Sequence, residues 1–207
     1  MTNRIFVNKQ KLFTPKLRAF YITLGEAKHY NADDKLGSYS VSLSVDPEAN
    51  ADWVNQMEEL GEDLYTEYLD AAGKKKLQRR DPIVPMKNEE DREGNETGNL
   101  LVKFNAKANR EKDGRMWPVD VPVLDTKGNR IPTDKVKLLS RGTEMKVSFD
   151  ANAYYMSGVF GISFKLRAVQ VVDPVWRDGS PEDDFAGQAS DGFVLDDEEA
   201  AMSDFGA

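Results

Sequence analysis

The sequence contains no cysteine and a single histidine in 207 residues. Without cysteine there are no disulfides and no thiolate metal sites, which fits a reducing compartment. With one histidine, Ser-His-Asp catalysis would depend on His29, which sits in the polar stretch 25–37 with no evident partner. Asp33 and Asp34 in the same stretch read as surface charge. No apolar run approaches the roughly 20 residues of a membrane span. The opening MTNRIFVNKQKLF lacks the uninterrupted apolar core of a signal peptide. There is no GxxxxGKS/T loop, no GxGxxG between strand and helix, and no HExxH. The expectation is a non-enzymatic protein with no cofactor, no metal and no membrane partner, working in the cytoplasm.

What is abundant is acid, and it is unevenly placed. Net charge is −8, from 28 Lys and Arg against 36 Asp and Glu. Ten of the acids fall in Asp178–Ala207, which has no Lys or Arg. Residues 1–177 therefore hold 26 acids against 28 bases and carry about +2. A body so mildly basic would bind a polyanion through a local patch and not through its overall field. The stretch 178–207 scatters Phe185, Phe193, Val194, Leu195, Met202 and Phe205 among Gly, Ser, Ala and acids. It cannot bury enough apolar surface to offset its ordering entropy, so a disordered acidic tail is expected after a folded domain of 1–177. Three phenylalanines are more than solvation needs. They favour protein docking, with Asp196, Asp197, Glu198, Glu199, Asp204 and Phe205 as docking residues.

Along the body the side-chain period identifies the elements. Residues 16–24 read as a strand with Phe20, Ile22 and Leu24 on one face and Ala19, Tyr21 and Thr23 on the other. Residues 25–37 read as a loop by composition. Residues 38–45 (SYSVSLSV) alternate Tyr39, Val41, Leu43 and Val45 with four serines. The period then changes. Trp53, Met57, Leu60, Leu64 and Tyr68 form one apolar stripe on a helix of about six turns. Asp46 is its expected N-cap, Pro47 its first residue and Gly73 its C-terminal stop. The acids on its outer face read as solvation. The KKKLQRR cluster that follows offers Lys74, Lys75, Lys76, Arg79 and Arg80, either to the helix C-terminus or to phosphate. Residues 81–98 read as a long loop.

Residues 99–109 return to strand, with Phe104 on the apolar face. Lys103 and Lys107 lie on the other, about 13 Å apart at ~3.3 Å per residue. Asp113-Gly114 marks a hairpin turn. The return arm 115–124 carries Trp117, and its two prolines make it an edge or a bulged strand. The central stretch 142–173 reads as two amphipathic arms. Met145, Val147 and Phe149 form one apolar face, and Phe160, Ile162, Phe164, Leu166 and Ala168 the other. Residues 152–158 are read as their connection, carrying Tyr154 and Tyr155. Rings beside amines on a β-platform suit single-stranded nucleic acid, whose bases stack and whose phosphates need neutralising. A core hairpin with surface lysines is the competing reading. The expected stacking residues are Tyr154, Tyr155 and Trp117. Tyr39 and Phe104 are further candidates whose apolar faces favour the core. The expected phosphate contacts are Lys103, Lys107, Lys146, Lys165 and Arg167. Five to six strands with one long inserted helix suit a small Greek-key barrel, and the OB-fold leads that class.

Three segments together carry a family likeness: GSYSVSLSV followed by the long helix, VLDTKGN, and EMKVSFDANAYYMSGVFGISFKLRAVQVVDP. They resemble, in order over most of 37–177, the OB-fold single-stranded DNA-binding proteins of T7-like phages. The acidic tail reaching Asp204-Phe205 completes the resemblance. It implies an OB-fold protein that coats single-stranded DNA during phage DNA replication and recombination in the infected cell. It also implies an acidic tail that contacts the replicative DNA polymerase and the helicase-primase and competes with DNA for the basic face. A homodimer is implied too, as are DNA-binding roles for Tyr154 and Lys146. Two positions depart from the family pattern. Lys107 stands where an aromatic is usual, and Gly206-Ala207 follow the Asp-Phe pair. Two other classes remain open: a phage interaction or assembly module whose barrel binds protein, and a metal-dependent nuclease built on carboxylates alone.

Overall fold

The computed structural model describes residues 6–7, 11–31 and 33–177. The expected tail, with its docking residues Asp196, Asp197, Glu198, Glu199, Asp204 and Phe205, lies outside the described residues. In chain order the elements are β1 (Phe6–Val7), β2 (Leu12–Phe13), β3 (Leu17–Lys28), β4 (Ser38–Val45), α1 (Ala51–Ala72), β5 (Gln78–Arg79) and β6 (Met86–Glu90). They continue with β7 (Glu96–Lys107), β8 (Asn109–Lys112), β9 (Arg115–Pro118), β10 (Val123–Leu124), α2 (Thr133–Val136), β11 (Glu144–Met156) and β12 (Val159–Asp173). Among the described residues no helix is long and apolar enough to cross a membrane.

Five of these strands close into a ring. β3 pairs antiparallel with β4, and β4 with β7. β7 runs parallel to β12, which pairs antiparallel with β11, and β11 returns to β3. A five-stranded barrel whose third and fifth strands are parallel neighbours is the OB architecture. The fold is thus mainly β, as the sequence implies, with the long helix α1 inserted between the second and third barrel strands. The shorter segments extend the barrel: β1 and β2 add to the edge of β11, and β5 and β10 to β12. Hence the strand segments outnumber the five to six expected.

The barrel is filled by the residues whose alternation marked them as apolar. Phe104, Phe149 and Phe164 meet at its centre, with ring centroids 4.9, 4.7 and 5.7 Å apart. Val41, Leu43, Met145, Val147 and Phe160 are fully buried around them. α1 lays Trp53, Val54, Met57 and Leu64 on the barrel, and the Trp53 indole donates to the Phe13 carbonyl at 3.0 Å. At Gly61 an added Cβ would stand 2.8 Å from Ile83 and 3.0 Å from Val84, so only glycine lets the helix approach that segment. Gly73 ends the helix in the left-handed region, φ 62°, as expected. The start differs. Asp46 accepts from the Glu48 and Ala49 amides at 2.9 and 3.0 Å, so it closes a turn ahead of the helix. Asn50 is the N-cap, and Pro47 precedes the helix.

Other boundaries move because pairing overrides composition. Residues 25–28, expected as loop, continue β3. The expected loop 81–98 holds β6, which forms a hairpin with β7. The arm 115–124 breaks after Pro118, so β9 pairs with β8 and β10 joins β12 instead. Two bulges also reverse the faces. The β3–β4 register slips between Ala19 and Tyr21, which leaves Ala19 as buried as Leu17. The β11–β12 register slips between Ser148 and Phe149, so beyond Leu166 the core face passes to Val169 and Val171 and not to Ala168. Each bulge inserts one residue and thereby shifts the period of two.

Two turns repeat one device. In DREGN (91–95) and DTKGN (125–129), the leading aspartate accepts amide hydrogens from the third and fifth residues and from the asparagine side chain. The asparagine bonds hold both carboxyls, Asp91 and Asp125, below their usual range. The Tyr30 amide does the same for Asp34. A depressed folded value means the unfolded chain binds more protons once pH drops below about 3.9. Stability from these turns is present above that value and lost as pH falls through the lower folded values. Denaturation midpoints are therefore expected to drop with acidification below pH ~4. Asp125→Asn should flatten that dependence. A variant with the same low-pH slope as the parent would show that this turn does not contribute.

Candidate nucleic-acid interface

The outer face of the barrel is polar and cationic because each core strand presents its alternate residues outward. Tyr21 and Thr23 of β3 lie opposite Ser42 and Ser40 of β4, which lie opposite Lys103 and Asn105 of β7. Asn105 is in turn beside Lys165 of β12. The β4 serines keep this surface low. One row thus ends on the exposed Lys103 and the other on the half-buried Lys165, with the exposed Lys107 at the end of β7. Lys107 stands 3.9 Å from Asp34, and Lys103 and Lys165 make no ion pair among the described residues.

One tyrosine overlooks this face. Tyr154 is opposite Gly161, and a Cβ on that glycine would fall 2.7 Å from both the ring Cζ and the hydroxyl. The phenol therefore lies across bare backbone, the arrangement in which an aromatic side chain covers a strand glycine. The Arg80 guanidinium sits 5.6 Å from its ring centroid. β5 places that arginine by pairing with the start of β12, and the Arg80 amide donates to the Phe160 carbonyl at 2.9 Å. From Arg80 a groove of about 640 Å³ runs along the outer face. Lys87, Lys103, Ser42, Leu101, Ile162 and Tyr21 are among its lining residues. A flat ring, hydroxyls and three cations around one trough can stack a base and neutralise phosphates.

A family profile described as single-stranded DNA-binding protein, bacteriophage T7, matches residues 19–173, from the first barrel strand to the end of the last. The chain belongs to this T7 single-stranded DNA-binding protein family. Among solved structures, gp2.5 of bacteriophage T7, a single-stranded DNA-binding protein, has the same fold at 18% identity and a TM-score of 0.56. That alignment covers 94% of this chain and 100% of gp2.5. The single-stranded DNA-binding protein of bacteriophage Enc34, solved with single-stranded DNA, aligns at 11% identity and a TM-score of 0.60. It covers 82% of this chain and 89% of that one. No curated protein matches the chain.

In this member of the T7 family the expected site residues divide. Tyr154 and Tyr155 belong to β11 and not to a connection. The turn is only Ser157-Gly158, both at positive φ as a two-residue hairpin requires. Neighbours in a strand point oppositely, so Tyr155 turns to the helix and packs on Tyr68 at 5.9 Å. Tyr155 thus lies on the core side of β11, away from the outer face that carries Tyr154. Phe104 is fully buried, and Tyr39 packs against the core from the same side. Arg167 gives its Nη1 to both oxygens of the buried Asp150, at 3.0 and 3.1 Å. Arg79 donates to Glu62 at 2.7 Å and lies over Tyr65. Both arginines are thus engaged within the protein. Lys74, Lys75 and Lys76 are exposed beyond the helix end. Lys146 is exposed on β11 at a position paired with Gln170.

Trp117 is 55% exposed on the β8–β9 hairpin. Its cross-strand partner is Arg110, and Lys112 pairs with Arg115. Those four residues share one hairpin face, three cations around an indole. The period of two either side of Asp113-Gly114 carries this grouping in the sequence, although only Trp117 was singled out there. Tyr21 was also missed, because an isolated tyrosine on a strand looks the same whether its neighbours are core or groove.

Proposed function

We propose that this chain binds single-stranded DNA without sequence preference and coats it during phage DNA replication and recombination, in the cytoplasm of the infected cell. The observation that carries the proposal is the family match over residues 19–173, which spans the whole barrel. The outer face supports it. Tyr154 stacks a base, Lys103, Lys107, Lys165 and Arg80 meet phosphates, and Lys146 and the Lys74–Lys76 run extend the cationic surface. Trp117, with Arg110, Lys112 and Arg115, supplies a second stacking point on the hairpin. The protein acts by binding alone. Fluorescence anisotropy with oligo-dT and with duplex DNA tests this across a salt series. Preference for oligo-dT is expected, with affinity falling as salt rises at a logarithmic slope of about −0.7 per phosphate neutralised. No binding at low ionic strength, with or without residues 178–207, overturns the proposal. Cleavage of the oligonucleotide on adding Mg²⁺ or Mn²⁺ would instead identify a nuclease.

The acidic segment 178–207 is proposed to dock the replicative DNA polymerase and the helicase-primase, and to compete with DNA for the barrel face. Its ten acids against a body of about +2 support that competition. Deleting Asp178–Ala207 is expected to tighten oligo-dT binding and to abolish docking of both enzymes. Weaker DNA binding after truncation would contradict it.

A further inference from the structure

Tyr21 is 62% exposed, its ring braced edge-on against Phe20 at 4.7 Å. It lines two grooves at once. One is the trough from Arg80 past Lys87 and Lys103. The other, about 390 Å³, continues on the far side of Tyr21 and is lined by Arg92, Arg141 and Arg177 above Leu139. The Arg141 guanidinium carbon stands over the Phe20 ring, 3.9 Å from its centroid, a cation–π contact that leaves the group its charge. The three arginines are exposed, and none forms an ion pair among the described residues. Glu90 and Asp91 also line this groove. The Asp91 carboxylate already accepts three hydrogen bonds within its own turn.

We infer that this second groove is a further single-stranded DNA subsite, with Tyr21 stacking a base at the junction and Arg141, Arg92 and Arg177 taking the flanking phosphates. The inference rests on the single-strand binding proposed above and extends its track. The two grooves share Tyr21, so a chain that stacks on Tyr154 beside Arg80 can follow Lys103 and cross Tyr21 into the second groove. Tyr21, Ser42 and Lys103 sit on three adjacent strands, so the ring is only about 10 Å from the lysine at ~4.8 Å per strand. Bases of any sequence suit such a platform, because every base presents a flat face. Arginine suits the outer end, because its planar fork grips phosphate oxygens in pairs.

The test is an oligo-dT length series from about 4 to about 16 nucleotides, the range of OB-fold site sizes. With the parent protein, affinity should keep rising until both grooves are filled. Tyr21→Ala should bind the shortest oligonucleotides normally, reach its plateau at a shorter length, and hold the longest about tenfold more weakly. Tyr21→Phe should restore the parent curve. Arg141→Ala should lower the salt slope on long oligonucleotides by about 0.7. If losing the Tyr21 ring unsettles Phe20, seen as a lower melting temperature, Arg141→Ala combined with Arg92→Ala carries the length test. Unchanged binding of the longest oligonucleotide overturns the inference, and so does an equal loss at every length. In either case the parent protein still binds, whereas failure of the proposed function itself shows as a parent that binds no oligonucleotide.

Discussion

Replacing Tyr154 by alanine is expected to weaken oligo-dT binding by about 1–3 kcal/mol, the usual worth of one base–aromatic stack. The fold should persist. Ala153 and Tyr155, which flank the residue in β11, face inward and hold the strand in place. The phenol itself rests on the backbone of Gly161 and beside Arg80, and not within the core. Tyr154→Phe should retain most of the affinity, because stacking needs the ring and not the hydroxyl. Gly161→Ala gives a second route to the same result. Its Cβ would collide with the far end of the ring, 2.7 Å away. The phenol would be pushed off its seat at little cost to stability, and affinity should fall towards that of Tyr154→Ala. Isotherms for Tyr154→Ala that superpose on the parent would remove this residue from the interface.

Phe104→Ala is expected to cost about 3–5 kcal/mol of folding stability, a large share of the ~5–15 kcal/mol of a typical domain. The ring is fully buried and touches both Phe149 and Phe164, so removing it opens a void at the centre of the barrel. Closed barrels collapse poorly into such voids, because each strand is held on both sides by its ladder. Chemical denaturation read by tryptophan fluorescence would show the shift in midpoint. A change under 1 kcal/mol would mean that the three rings are not packed against one another as described. Tyr39 lies on the inward side of β4 but is only half-buried, so Tyr39→Ala should cost less.

Strand existence was legible wherever alternation was clean, as in Ser38–Val45, where every residue falls on the side its neighbours imply. The α1 stripe was legible for the same reason, since the spacings of four and seven between Trp53, Met57 and Leu64 share one face of a helix and not of a strand. The Asp113-Gly114 turn was legible from its dipeptide alone. The bulges were not. A one-residue insertion at Phe20 or Arg167 leaves composition and local propensity unchanged, yet it exchanges the faces beyond it. The two tyrosines illustrate the same limit. As neighbours they look like one aromatic site, but strand geometry sends Tyr154 to the outer face and Tyr155 to the helix. Among the cations, nothing local separates Lys103 from Arg167. The second is committed only because β11 carries the buried Asp150 beside it.

The sequence by itself determined the class of the protein and the make-up of its core, because periodicity and charge distribution are properties of short stretches. Only the tertiary structure decided which outward residues share a surface. Tyr21, Arg80, Lys103 and Tyr154 lie up to 133 residues apart in the chain. Tyr21, Arg80 and Lys103 line one groove, and Tyr154 lies beside Arg80, because the barrel closes β3, β4, β7, β12 and β11 into a ring, and ring closure depends on pairing between distant strands that no local pattern records.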